Sequence, residues 1–198
     1  VPDVAAPNAA PRGGVAEDAP RSALRPAAQR TGTAFVVSFL SGGGGVGKSA
    51  VTAVSAHRSA ARGLSVVAVD CDLQFGDVRH LMGARDALTI DDVMADPAVV
   101  PALRDATVPG VPAVIGAPAR LERSESLAGR LGELLDTCAA WFDVVVVNTG
   151  GCWTEGHAHL LERSAASVFL MDQRASSVYA CRHALDLCMR LGIASAPF

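Results

Sequence analysis

Gly42-Gly43-Gly44-Gly45-Val46-Gly47-Lys48-Ser49 is the stretch on which the reading of this chain turns. Its spacing is G-x-x-x-x-G-K-[ST], the pattern of a phosphate-binding loop, or P-loop. Glycines let backbone N–H groups turn inward around phosphate oxygens, so residues Gly43, Gly44, Gly45, Val46, Gly47, Lys48, Ser49 and Ala50 are the candidate nucleotide cradle. Lys48 is the only lysine, and the other sixteen of the 17 Lys and Arg residues are arginine. A compact, mobile ammonium suits β- and γ-phosphates better than the rigid guanidinium fork. Ser49 offers a hydroxyl to Mg²⁺, and the helix that follows points its N-terminus at the anion. The alternative is a glycine-rich surface loop with an incidental Lys-Ser pair.

The surroundings fit the motif. Residues 34–40, Ala-Phe-Val-Val-Ser-Phe-Leu, are an apolar run of strand length. Residues 49–62 read as a helix packed through Val51, Val54 and alanines, with Gly63 as its C-cap. Further strands are expected at 64–70, 111–115, 142–148 and 166–171, the continuous valines of 142–148 suiting a parallel strand covered on both faces. Leu127, Leu131, Leu134, Leu135 and Cys138 form one helical stripe, with Ser124 as its cap. Residues 177–191 repeat that logic with Val178, Cys181, Leu185 and Cys188. Alternating strands and helices predict an α/β fold, a doubly wound, mostly parallel sheet with helices on both faces.

Composition sets the limits. The chain has 198 residues, half of them hydrophobic, enough for one packed domain. Residues 1–33 hold five of the eleven prolines, many alanines and no apolar periodicity, so they are expected to be a linker ahead of a P-loop domain over 34–198. A formal charge of −3 gives no general pull toward nucleic acid or an anionic membrane. No apolar run reaches the roughly 20 residues that span a bilayer. Five cysteines with no C-x-x-C pair fit a reduced, cytoplasmic protein.

Ligands of such sheets lie at the carboxyl ends of strands. The second strand ends Asp70-Cys71-Asp72-Leu73-Gln74. Lys48, Asp70 and Asp72 are the candidate catalytic residues, the carboxylates holding metal-bound water or orienting an attacking water. Capping of the turn is the plainer reading of the two aspartates. The fourth strand ends at Asn148, where P-loop proteins carry the Walker B aspartate. Ser49, Asp70 and Asn148 are the candidate Mg²⁺ contacts, through water. Cys152, His157 and His159 suggest a metal site, but a solvated histidine pair is the simpler reading. Cys71 reads as packing, Trp141 and Phe142 as core, and Arg79, Arg85 and Arg104 as a solvated face.

These elements together resemble the MinD/ParA family of P-loop ATPases. The resemblance is carried by residues 43–49, by the run 67–78 (Val-Ala-Val-Asp-Cys-Asp-Leu-Gln-Phe-Gly-Asp-Val), by 142–148, and by 88–94 as that family's short helix after the second strand. It covers roughly 34–193, and the Asp-Leu-Gln-Phe-Gly-Asp phrase is most similar to the CpaE/TadZ branch, which localises Flp (Tad-type) pilus machinery. The resemblance implies ATP and Mg²⁺ as cofactors, slow ATP hydrolysis, a nucleotide-dependent homodimer, and partners in a pilus, secretion, septum-site or polar-localisation machine. It implies a cytoplasmic protein recruited to the pole or the inner membrane face through partners or further segments. Three departures stand out. The family's signature lysine, which reaches across the dimer, is replaced by Gly43; the Walker B aspartate is Asn148; and the family sheet continues into a strand bearing an adenine-contacting Asn, so the domain is expected to be incomplete at its C-terminus. Gly43 and Asn148 favour a second function, a non-hydrolysing scaffold. A P-loop kinase acting on a small metabolite is a third.

Overall fold

The structure is a computed structural model, and it describes residues 34–193. The expected linker, 1–33, lies outside the described residues. The strands are β1 (Phe35–Ser41), β2 (Val66–Cys71), β3 (Ala113–Ile115), β4 (Val144–Thr149) and β5 (Ala166–Leu170). The helices are α1 (Lys48–Ala60), α2 (Val78–Leu81), α3 (Ile90–Ala95), α4 (Val99–Ala106), α5 (Ser124–Ala128), α6 (Leu131–Ala139), α7 (Glu155–Arg163) and α8 (Ala175–Arg190). All five strands are parallel, in the order β3-β2-β4-β1-β5. This is the expected α/β, doubly wound architecture.

The period of two along a strand sorts the core. In β2, Val67 and Val69 face one cluster with Leu127, Leu131, Leu134, Leu135, Cys138 and Phe142. Val66 and Ala68 face another with Ala56, Ala60 and Val78. Both faces are therefore covered, which is why β2 and β4 are buried at every position. Polar pairs fasten the ends. Asp143, entering β4, accepts from the Ser65 N–H and hydroxyl at 2.7 Å each.

α1 ends at Ala60 with Ala61 as its C-cap, not the expected Gly63, which reverses the chain two residues later with a φ of +83° that glycine adopts without penalty. Val54 corrects its expected role, for it is 61% exposed, and α1 packs through Thr52, Ala56 and Ala60 instead. α3 carries a capping box, in which Thr89 and Asp92 exchange bonds. The Leu127–Cys138 stripe is buried as predicted, but on two helices. The joint at Gly129 and Arg130 lies where α7 comes close, since a Cβ on Gly156 would sit 2.9 Å from Leu131 Cδ1 and 3.2 Å from the Ala128 carbonyl. Ser124 does not cap this helix; its hydroxyl donates to the Leu73 carbonyl at 2.8 Å, tying α5 to the loop after β2. On α8, Cys181, Ala184 and Cys188 are buried, whereas Val178 is exposed, contrary to the expected stripe. Arg104 is no part of a free solvated face, because its Nε donates to the Trp141 carbonyl at 2.9 Å.

Candidate functional site

The loop after β1 gathers its residues at the carboxyl end of the sheet. Gly45 and Gly47 take φ values of +80° and +88°, which brings Lys48 to the first position of α1. A Cβ on Gly43, Gly44 or Gly47 would meet nothing within 4 Å, so the loop is uncrowded at these three positions. Lys48 is buried, and its Nζ donates to Ser41 Oγ at 2.7 Å, while Ser41 Oγ donates to the Gly43 carbonyl. The ammonium is thus stored against the last residue of β1. Burial lowers its pKa, and the charge of Asp72 opposes that. Ser49 is half-buried on the first turn of α1.

Strand order brings the polar ends of β2 and β4 together. Asp70 and Asn148 are register partners across β2 and β4, and Asn148 is also the partner of Phe39 in β1. Asp70 is fully buried. Its Oδ1 accepts from Asn148 Nδ2 at 2.8 Å and from the Asp72 N–H at 3.3 Å, and its Oδ2 accepts from the Val78 N–H at 2.9 Å. Burial pushes its pKa up to about 6, against the pull of those bonds. Asn148 Oδ1 is buried and has no hydrogen-bond partner among the described residues. An orphaned acceptor of this kind points to a donor supplied from outside the chain, such as metal-bound water. With the open loop and the Ser49 hydroxyl, that orphan fits a Mg²⁺-nucleotide.

Asp72 is half-buried, and its Oδ1 accepts from the Phe75 N–H at 3.1 Å, the turn-capping role that is its plainer reading. It also borders a cavity of about 540 Å³ between the loop after β2, α5 and the loop after β4, which reaches Gly44 and Gly151. Of the residues expected at the site, Lys48, Asp70, Asp72 and Asn148 therefore do converge.

The 150–154 loop adds contacts that the sequence does not announce. Trp153 Nε1 donates to the Ser41 carbonyl at 3.1 Å. Its ring stacks on His157 at 4.9 Å. His157 is buried rather than solvated, a correction: Nδ1 accepts from the Thr154 N–H at 3.2 Å, and Nε2 lies 3.3 Å from the Gly150 carbonyl. Burial holds its pKa below the ordinary imidazole value. Among the described residues no three His, Cys, Asp or Glu side chains form a metal cluster. Cys71 is buried with its thiol pushed well up, consistent with packing.

Comparison with known proteins places the fold. Residues 33–109 match the ParA family model, described as the NUBPL iron-transfer P-loop NTPase. Among solved structures, the septum site-determining protein MinD of Pyrococcus horikoshii OT3, complexed with Mg-ADP, superposes with a TM-score of 0.67 at 21% identity, over 82% of this chain and 68% of that one. The cell division ATPase MinD of Pyrococcus furiosus gives 0.67 at 22% identity, over 81% and 69%. A ParA family ATPase from Chlorobium tepidum TLS gives 0.64 at 21%, over 79% and 68%. The fold is that of the MinD/ParA-type P-loop NTPases. No curated protein sequence matches the chain significantly. Among the described residues, no helix is long and apolar enough to cross a membrane.

Proposed function

We propose that this chain binds ATP with Mg²⁺ and works as a nucleotide-dependent positioning protein with slow hydrolysis. The observation that carries the proposal is the meeting of an open P-loop and its stored Lys48 with Asp70, Asp72 and the orphaned Asn148 Oδ1 at one end of the sheet. Lys48 would leave Ser41 for the β- and γ-phosphates, and the N–H groups of residues 44–50 would line the polyphosphate. Ser49 and Asn148 would hold the hydration shell of Mg²⁺, whose bound charge neutralises phosphate oxygens. Asp72, beside the cavity, would orient a water, while Asp70 keeps β2, β4 and α2 in register.

Positioning is supported by the solved neighbours, a septum site-determining protein and a ParA family ATPase among them. Residues 72–77 favour a pilus-associated role of the CpaE/TadZ kind, with a homodimer as the working unit and recruitment to the cell pole or inner membrane face through partners. The direct test is ATP titration and phosphate release with and without Mg²⁺. Binding that needs Mg²⁺, with turnover abolished by Asp72→Asn, is the expected result; absence of ATP binding removes the proposal.

A non-hydrolysing scaffold is the second reading. It is favoured by one observation: Asp70 has both oxygens engaged by internal donors, and its neighbour Asn148 brings no charge. ATP binding without any phosphate release selects it.

A further inference from the structure

The segment after β5, Met171-Asp172-Gln173-Arg174, leads into α8 and flanks the P-loop on the side away from β4. Its place is fixed by packing. Gly42 lies so close to α8 that a Cβ there would come within 2.2 Å of the Ala180 carbonyl carbon and 2.4 Å of the Cys181 nitrogen. The Asp172 N–H donates to Ser177 Oγ at 3.1 Å, which holds the segment to the first turn of the helix. As a result Arg174 Nη2 lies 3.9 Å from the point that a Cβ on Gly45 would occupy. A guanidinium stands at the mouth of the phosphate loop.

Asp172 steers it there. Arg174 Nε donates to Asp172 Oδ2 at 2.7 Å, Nη2 lies 2.6 Å from the same oxygen, and the Arg174 N–H donates to Oδ1 at 3.0 Å. The side chain of Arg174 is 62% exposed. An exposed ion pair between near neighbours is weak, so a polyphosphate of higher charge competes with one carboxylate for the fork. A guanidinium carries five donors, and contacts to Asp172 leave others for an incoming anion. Gly43, meanwhile, has open space and no charge.

We infer that Arg174 is a cation of the nucleotide site, contributed by the same chain, that is held in reserve by Asp172 and exchanges that carboxylate for the terminal phosphates of a bound nucleoside triphosphate. The inference rests on the proposal that the loop binds ATP. It assigns the chain's second phosphate-directed charge to the β5–α8 segment, where the rigid fork bridges two phosphate oxygens that a point charge contacts singly.

The test is titration of the full chain with ATP, ADP and AMP in Mg²⁺, for the parent, Arg174→Gln, Arg174→Lys and Asp172→Asn, with thermal melting as the check on folding. Arg174→Gln is expected to weaken ATP binding by roughly tenfold or more and to leave AMP unchanged. Arg174→Lys is expected to recover part of the loss, and Asp172→Asn, which releases the fork, to tighten ATP. Unchanged ATP-to-AMP selectivity in both Arg174→Gln and Asp172→Asn overturns the inference while leaving ATP binding intact. A parent that binds none of the three nucleotides overturns the site reading itself and the inference with it.

Discussion

Asp70 holds three donors and has no exposed surface, yet its pKa rises to about 6 because burial outweighs those bonds. The native state therefore keeps a proton that the unfolded chain releases near pH 3.8. Stability falls as pH rises from about 4 to 6 and stays lower above that, by about 3 kcal/mol from this group alone. Asp92 has the opposite sign, since the Thr89 bonds lower its pKa and its contribution is lost as pH falls below the ordinary range. The check is urea unfolding across pH 4–7: the difference between parent and Asp70→Asn should follow the Asp70 window, whatever the absolute stability of the variant. Asn148→Asp should place a second carboxylate against Asp70 Oδ1, where Asn148 Nδ2 now donates at 2.8 Å. The variant should melt lower than the parent without divalent cation, with Mg²⁺ restoring much of the difference, because like charges at that range cannot both ionise unaided. Equal melting of parent and variant in chelator would show that the pair is not in contact. Lys48→Ala should lower ATP affinity by tenfold to hundredfold or more, as charge-assisted bonds are worth roughly 1.5–3 kcal/mol each, and nucleotide titration reads it directly. That Lys48, Asp72 and Asn148 lie at the carboxyl end of the sheet was legible in the sequence, because a motif fixes each within its own segment. The Asp70–Asn148 bond was not, since it depends on β2 pairing with β4 across 78 residues.

At the level of elements, two neighbouring glycines separate architecture from chemistry. Gly42→Ala drives a Cβ into the backbone of α8 and should cost on the order of 1–3 kcal/mol or displace the helix. Gly43→Ala meets nothing within 4 Å and should melt close to the parent. Thermal unfolding of the two variants side by side decides it, and equal losses would mean that α8 does not rest on the loop. The strands and the long helices were readable from runs of valine and from the leucine stripe. α2, with four residues, is shorter than any period can reveal. α4 has Pro101 in its first turn, a position that tolerates proline but reads as a break. α7 is polar along most of its length and opens on a capping box built from Thr154 and His157, where the usual partner is Glu or Gln. That same box buries His157, which is why a solvated histidine pair was the wrong expectation. Val54 and Val178 were misassigned for the opposite reason: small residues, Ala56 and Ala184, take buried positions on the same helices.

Across the whole molecule, β5 has β1 as its partner and is half-buried at every position, and α8 with its C-cap exposes Val178, Tyr179, Met189 and Leu191. Among the described residues no strand pairs with its other edge, and an open strand edge beside apolar surface invites pairing with another chain. A protein of residues 34–198 should self-associate with rising concentration, which sedimentation velocity would register; a monomer at all accessible concentrations would mean that the edge is protected. The parallel sheet order brings the ends of β1, β2 and β4 together, and no single stretch of sequence contains that adjacency. The placement of Arg174 follows likewise from β5 lying beside β1. The fold also provides its own optical probe. Trp153 touches the Ser41 carbonyl, and Ser41 is the residue on which Lys48 is stored, whereas Trp141 packs against the core just ahead of β4. Release of the ammonium to a phosphate would change the polarity around one indole and leave the other untouched. The intrinsic emission of the unlabelled protein should therefore report loading of the loop, and Trp153→Phe should silence that signal without silencing the protein's remaining fluorescence.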